Sequence, residues 1–146
     1  MTNLGTNLRT IVYVSSAAPN LGVADLEFIL ADARRSNAEN GITGVLLHHD
    51  ESFMQCFEGP AAAVSSTYQR IRASRQHSGL VEILDEPILR RRFEGFDMGS
   101  AQATASELLA LSAARWTRQQ QAAGAGDDSS AGMALLCSFW QGARHL

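Results

Sequence analysis

The sequence predicts an α+β protein, a ferredoxin-like β-α-β-β-α-β-β sandwich with two helices on one face of a mixed five-stranded sheet and two further helices at the C-terminus. Two observations carry this prediction. Runs rich in β-branched residues alternate along the chain with segments whose apolar residues recur at helical spacing. Two neighbouring strand-like runs are separated by only two residues, which is hairpin spacing. The first five elements and one further strand match the split β-α-β arrangement of this sandwich.

The first half of the chain supplies a central strand, a helix and the hairpin. The first strand, TIVYVSS, is apolar on both faces, which is typical of a buried position. The helix that follows ends at a glycine signal, ENG, and the hairpin turns at Asp50 and Glu51 without a glycine. The predicted elements are a strand over 10–16, a helix from Val23 to about Asn37, and strands over 42–49 and 52–59.

The second half of the sandwich begins at Pro60, which fits the first turn of a helix. A loop over 74–79 separates this helix from a strand over 80–89. Pro87 places the end of that strand at a sheet edge or a bulge, because proline cannot donate to a central ladder. Leu80, Glu82 and Leu84 are expected on one of its faces, and a last short strand is expected over 96–99.

The character of the chain changes after Ser100, so we divide it into a sandwich over 1–100 and a helical segment over 101–146. A capping box, Thr104 with Glu107, begins one helix, and the polar, glycine-rich stretch 119–132 is a flexible linker by composition. A second short helix begins at Met133. These helices either cover the open face of the sheet or bind a second chain, with the aromatic residues Trp116, Phe139 and Trp140 as candidate anchors.

The composition excludes several classes of protein. The chain has 146 residues and a net charge of −3, and its only dense basic run covers 90–92, too little for a nucleic-acid footprint. It shows neither a signal peptide nor an apolar stretch long enough to cross a membrane. Cys56 and Cys137 stand far apart in apolar surroundings, as buried thiols do in a reducing cytosol. We therefore expect a cytoplasmic protein with no nucleic-acid or membrane partner.

No motif of a catalytic site is present. The sequence contains no phosphate loop, dinucleotide fingerprint or serine elbow. His48, His49 and Asp50 do not make a metal site, because adjacent strand residues point to opposite faces and no matching ligand pair occurs elsewhere. Nothing near Cys56 lowers its pKa, and no arginine-containing phosphate loop follows the first strand, as an acylphosphatase of this fold would need. We expect neither an enzyme nor a metal protein.

The polar residue that needs an explanation is Gln55. It alternates with Phe53 and Phe57 on one face of its strand, and burying an amide without partners costs about 1–3 kcal/mol. Tyr13 is a second polar tip inside an apolar run. The first strand of a split β-α-β sheet is central and is expected beside the strand that follows the first helix, so hydroxyl and amide can meet on the helix-covered face. They either satisfy each other as two core groups or contact a bound polar ligand.

Three motifs occur together in one order: N-x-x-x-G-I-T-G-x-L, F-x-Q-x-F-E-G-P and R-R-F-x-G-F-x-M. With this combination, roughly residues 8–100 resemble a BLUF domain, the blue-light sensor that uses a flavin, and the chain is similar to the short stand-alone members. The resemblance implies a flavin, normally FAD with FMN as the alternative, held non-covalently between the two helices that cover the sheet.

The resemblance also implies roles for individual residues. Tyr13 matches the photoactive tyrosine of the family, and Gln55 matches the glutamine that bridges this tyrosine and the flavin. Asn37 matches the asparagine that hydrogen-bonds the edge of the flavin ring. Met98 matches the methionine of the last strand, close to the glutamine.

The chain departs from the family pattern at other site positions. Phe96 stands where tryptophan is common, which removes an indole N–H and a competing electron donor. Ser36 stands where other members have His or Asn beside the flavin. Arg75 and His77 match the loop at the ribityl and phosphate end, but the common D-R-R-H is S-R-Q-H here, so an acid and an arginine are missing.

The expected function is that of a photoreceptor. The resemblance implies that light drives electron and proton transfer from Tyr13 and that the hydrogen bonds of Gln55 then rearrange. A stronger bond to the flavin C4 carbonyl would shift the absorption to the red. The last strand and the C-terminal helices then signal to a partner protein, with a homo-oligomer expected. The alternative is a flavin-free interaction module of the same fold, which would be colourless.

Overall fold

The computed structural model describes residues 7–17, 23–73, 77–116 and 130–143. This part of the chain forms the predicted α+β sandwich with a mixed five-stranded sheet. The elements in chain order are β1 Leu8–Ala17, α1 Val23–Asn40, β2 Thr43–His49, β3 Ser52–Pro60, α2 Ala61–Ala73, β4 His77–Ile88, β5 Gly99–Gln102, α3 Ala105–Ala113 and α4 Ala131–Ala143.

The strand order across the sheet is β4-β1-β3-β2-β5. β1 pairs antiparallel with both β3 and β4, β2 pairs antiparallel with β3, and β5 joins β2 in parallel. The expectation that β1 adjoins the first strand after α1 is therefore wrong. The β2–β3 hairpin inserts its second strand, β3, between β1 and β2, so the strand that carries Gln55 is the direct neighbour of β1.

Several boundaries differ from the sequence prediction. α1 continues to Asn40, where Gly41 with a φ of 69° ends it. Pro60 ends β3 instead of opening α2. The hairpin turns without glycine because Asp50 takes the left-handed region at a φ of 50°, which Asp tolerates better than most residues. β5 begins only at Gly99, and the carbonyls of the three residues before it accept hydrogen bonds from the Gly44 amide and from side chains of α1 instead of from a ladder.

β4 is an edge strand, as Pro87 predicted, but its side chains do not keep one alternation. Leu80 packs on the cluster beneath α2, whereas Leu84 belongs to the cluster on the opposite face of the sheet. The shared face expected for Leu80 and Leu84 is therefore wrong. A register shift opposite Val12 and Tyr13 of β1 marks a bulge, which moves later side chains to the other face.

α1 and α2 cover one face of the sheet. Beneath α2 lies an apolar cluster of Ile11, Tyr13, Ile42, Phe57, Val64 and Tyr68. Beneath α1 lies a smaller one of Leu30, Leu46, Phe53 and Met98. The alternation read from β3 is confirmed: Phe53, Gln55 and Phe57 face these helices, while Met54 and Cys56 face the other way.

α3 and α4 cover the opposite face. Trp116 and Trp140, each 6% exposed, pack into the largest cluster with sheet residues such as Val45 and Met54, and Phe139 packs against it. The capping box of Thr104 and Glu107 is present at the start of α3. The predicted linker is shorter than expected, because its last two residues belong to α4; residues 117–129 lie outside the described part. The two helices thus cover the sheet face, the first of the two alternatives.

Glu58 fastens the connection between β4 and β5 to the sheet. Its carboxylate is fully buried and accepts hydrogen bonds from the amides of Arg92 at 2.8 Å and Phe93 at 2.7 Å, and from the Thr43 hydroxyl at 3.0 Å. Burial raises the pKa of Glu58, and the two amide hydrogen bonds oppose that rise.

Replacing this carboxylate by an amide tests the fastening. Glu58→Gln presents an NH₂ group to donors that need an acceptor, so we expect the free energy of unfolding to fall by about 1–3 kcal/mol. Urea denaturation measures the loss, and Glu94→Gln, at an exposed position of the same connection, serves as the control. Equal stability of the two variants would contradict the role of Glu58.

A double-mutant cycle tests the contact between the sheet and α4. A Cβ atom at Gly99 would lie 2.6 Å from an indole carbon of Trp140. Gly99→Ala should therefore cost about 1–3 kcal/mol in the native background and clearly less in a Trp140→Leu background. Gly142→Ala, where nothing lies within 4 Å, is the control and should be neutral or slightly stabilising. An equal loss of unfolding free energy in both backgrounds would show that Trp140 of α4 does not pack against Gly99.

Candidate functional site

A cleft of about 240 Å³ opens between α1 and α2 above the centre of the sheet. This volume lies just below the roughly 300–1,000 Å³ typical of small-molecule sites. Its walls are apolar and come from both helices and from the sheet, with Leu30, Leu46, Phe53, Phe57 and Ile71 among them. Its polar groups are Asp32, Ser36, Asn37, Gln55, Thr67 and Arg70.

At the floor of the cleft, Gln55 is held between two side chains. The Tyr13 hydroxyl donates a hydrogen bond to Gln55 Oε1, and Gln55 Nε2 donates to the Met98 sulfur at 3.5 Å. The register causes this arrangement, because Tyr13 and Gln55 are directly opposed on β1 and β3. Burial raises the pKa of Tyr13 above its ordinary value, so the phenol keeps its proton and acts as a donor.

Asn37 and Ser36 lie at the end of α1 that borders the cleft. Asn37 is 4% exposed, and its Nδ2 donates to the Asp97 carbonyl at 2.6 Å. Ser36 Oγ accepts from Arg70 at 3.1 Å, so the two helices are bridged by this pair. The structure thus brings Gln55, Met98, Asn37 and Ser36 of the expected site to one cleft, and Tyr13 lies behind Gln55, to which its hydroxyl is hydrogen-bonded.

The other expected site residues are elsewhere or undescribed. Phe96 does not line the cleft; its ring packs edge-on against Trp140, with ring centroids 5.4 Å apart, beneath α4. Arg75 lies outside the described residues. Of His77 only the backbone, at the start of β4, is described. The part of the site expected to meet the phosphate end therefore lies outside the described side chains.

Two arginines were not singled out from the sequence. Arg70 lines the cleft and also contacts the Thr67 hydroxyl at 3.4 Å, and Arg34 Nε donates to the Met98 carbonyl at 2.9 Å. Helical spacing held a signal for Arg34, since it precedes Asn37 by three residues and so shares its face of α1. No comparable local signal existed for the pairing of Arg70 with Ser36 on another helix.

In the described part of the chain, no three side chains of His, Cys, Asp or Glu cluster as a metal site would require. His49 instead hydrogen-bonds the Ala103 carbonyl at 3.1 Å through Nδ1. None of the described helices combines the length and the apolar character of a membrane-spanning segment.

The comparisons with known proteins agree with this fold. Residues 8–99 match the family of BLUF domains, sensors of blue light using FAD, and the chain belongs to that family. It is 38% identical over 86 residues to the photoactivated adenylate cyclase subunit beta of Euglena gracilis, which is 59% of this chain and 10% of the relative. It is 33% identical over 86 residues to the blue light- and temperature-regulated antirepressor BluF of Escherichia coli, or 59% of this chain and 21% of that one.

Solved structures give the same result. BlrB, a BLUF protein in its dark state, superimposes with a TM-score of 0.70 and 26% identity over 92% of this chain and 98% of its own. The photo-activated state of BlsA gives a TM-score of 0.64 and 27% identity over 70% and 74% of the two chains. This chain spans only about a tenth of the cyclase relatives that it matches. The matched region is the sensor module.

BLUF domains bind flavin, and the residues of this cleft fit such a group. A planar, amphipathic ring system needs apolar walls with a few fixed polar groups along one edge. The aliphatic and phenyl walls supply the first. The buried amides of Asn37 and Gln55, 4% and 9% exposed, supply donors and acceptors for the second.

Proposed function

We propose that this chain is a blue-light photoreceptor that binds a flavin non-covalently in the cleft between α1 and α2, and that signals by rearranging the hydrogen bonds of Gln55. The observation that carries the proposal is the position of the Gln55 amide on the floor of the cleft, between the Tyr13 hydroxyl and the Met98 sulfur. An amide held by an acceptor contact at one end and a donor contact at the other can exchange them.

The side chains that would hold the flavin are those of the cleft. The apolar walls would enclose the rings, the Asn37 and Gln55 amides would meet their polar edge, and Ser36 and Arg70 stand where the two helices meet at the cleft. When bound, the flavin supplies absorption of blue light and, once excited, a strong oxidant. We propose FAD, with FMN as the alternative; BlrP1 of Klebsiella pneumoniae, 32% identical over 65% of this chain, was solved with FMN.

The chain's own residues would carry the switch. Tyr13 is a buried, protonated phenol whose proton already points at Gln55 Oε1, so it can release an electron and pass that proton to the amide. If the amide then reverses or changes its tautomer, Nε2 no longer donates to Met98. The lost bond to sulfur is weak, because a thioether is a poor acceptor, so its loss disfavours the rearranged amide only slightly.

The signal would leave through β5. Met98 directly precedes β5, and Gly99 contacts Trp140 of α4, so a change at Met98 reaches the helices on the other face of the sheet. We propose that a partner protein detects this change and that a homo-oligomer forms through α3 and α4, whose Leu109 and Leu135 are 70% and 41% exposed. In this proposal the chain is a sensor and not an enzyme. The flavin-free interaction module remains the alternative.

The visible spectrum in the dark, after blue light and during dark recovery tests the proposal. We expect a yellow protein whose flavin bands shift to the red by ~10 nm and return, as a strengthened hydrogen bond to the flavin would cause. Tyr13→Phe and Gln55→Leu should keep the flavin and lose the shift. Gln69→Leu, an exposed amide on α2, is the matched control and should behave as the unmodified protein.

The outcomes separate the parts of the proposal. A colourless protein that takes up neither FAD nor FMN would overturn the cofactor and favour the interaction module. A yellow protein without a shift would overturn the switch, and a full shift in Gln55→Leu would overturn the assignment of Gln55.

A further inference from the structure

Two side chains of α1 hold consecutive carbonyls of the segment that enters β5. Asn37 Nδ2 donates to the Asp97 carbonyl at 2.6 Å, and Arg34 Nε donates to the Met98 carbonyl at 2.9 Å. Arg34 and Asn37 are three residues apart, so both project from the same face of the helix. Together they hold the Asp97–Met98 backbone, which places the Met98 side chain beside Gln55.

A third hydrogen bond holds the residue before these two. The Gly44 amide donates to the Phe96 carbonyl at 2.9 Å, so three carbonyls in succession, from Phe96 to Met98, are held. The Gly44 bond comes from the sheet, which is fixed by its ladders. The bonds to Asp97 and Met98 come from α1, which also forms one wall of the cleft. A shift of α1 would therefore act directly on the residues at the start of β5.

Apart from the bond to Met98, Arg34 makes no other side-chain hydrogen bond or ion pair within the described residues. Among the described residues no carboxylate pairs with it, whereas its neighbour Arg35 forms an ion pair with Asp32 at 2.5 Å, with both side chains mostly exposed. Arg34 does not line the cleft. Within the described part of the chain, the long-range contact of Arg34 is its hydrogen bond to Met98, 64 positions away, and Met98 is the residue to which Gln55 donates.

We propose that Arg34 is a positioning residue that fixes Met98 against Gln55 from outside the cleft and couples the placement of α1 to the first residue of β5. The coupling is reciprocal: a ligand that settles α1 steadies Met98, and a displaced Met98 changes α1. The mechanical part stands on the hydrogen bonds alone. Only the effect on the light response rests on the proposed function.

Hydrogen exchange in the dark tests the mechanical part. In Arg34→Gln the Met98 carbonyl loses its donor, and we expect the backbone amides of residues 99–102 to exchange about five-fold faster, the factor for one net hydrogen bond. Arg34→Lys, which keeps a donor, should restore part of the protection. Arg35→Gln removes the same charge from the same helix and is the matched control, with no change expected over 99–102.

The light response of the flavin-loaded protein tests the positioning role. Neither variant removes a direct flavin contact, because neither residue lines the cleft. Through the reciprocal coupling, however, Arg34→Gln should bind flavin more weakly than Arg35→Gln, by no more than about five-fold, the factor for one net hydrogen bond. The rate of dark recovery should change by at least about two-fold in Arg34→Gln only, with Arg34→Lys between the two.

Each outcome decides one part. Equal rates of amide hydrogen exchange over 99–102 in the two glutamine variants would show that Arg34 does not hold the Met98 carbonyl. Faster exchange with an unchanged dark recovery would overturn its positioning of Met98 for the switch. A protein that shows no photocycle at all would defeat the proposed function, while the exchange comparison would still decide whether Arg34 holds the Met98 carbonyl.

Discussion

The hydrogen bond between Tyr13 and Gln55 depends on the register of β1 against β3, and most of the architecture follows from that register. The two residues are directly opposed, so a slip of one position would turn both side chains to the other face of the sheet. The same register places Val12 opposite Cys56, with both side chains on the far side. The face behind the buried polar pair is therefore apolar, and it must be covered to exclude water.

α3 and α4 provide the cover, and this makes the sheet a connection between two buried layers. Met98 faces the cleft, while the next residue, Gly99, lies against Trp140 on the far side. The peptide between Met98 and Gly99 thus joins the floor of the cleft to the layer formed by α3 and α4. Close packing transmits small displacements because protein interiors contain few voids to absorb them. A glycine at this position lets the indole approach the backbone, which brings the two layers nearer than any side chain would allow.

The sequence predicted those features that local patterns determine. Alternation placed Phe53, Gln55 and Phe57 on one face, and Pro87 marked an edge strand, because both follow from geometry within one strand. It did not predict what depends on distant partners. The bulge that separates Leu80 from Leu84 arises from pairing with β1. The packing of Phe96 beneath α4 depends on contacts more than forty residues away, and so does the choice between the two alternatives for that helix, covering the sheet or binding a second chain. Tyr13 and Gln55 stood out as polar residues in apolar runs, and the family resemblance added Asn37 and Met98, whereas neither route singled out Arg34.

Glutamine is the residue type that this position requires. A leucine would fill the space between Phe53 and Phe57 but would leave the Tyr13 hydroxyl without its acceptor, and a glutamate would bring a charge into an apolar floor. An amide offers a donor and an acceptor on two separate atoms of one neutral group, and the longer of the two amide side chains spans from β3 to both Tyr13 and Met98. Its two bonds are unequal, because a phenol donating to an amide oxygen is a strong partner and a thioether accepting from an amide is a weak one. The strong bond to Tyr13 selects one arrangement of the amide at rest, and the weak bond to Met98 adds little resistance to a change.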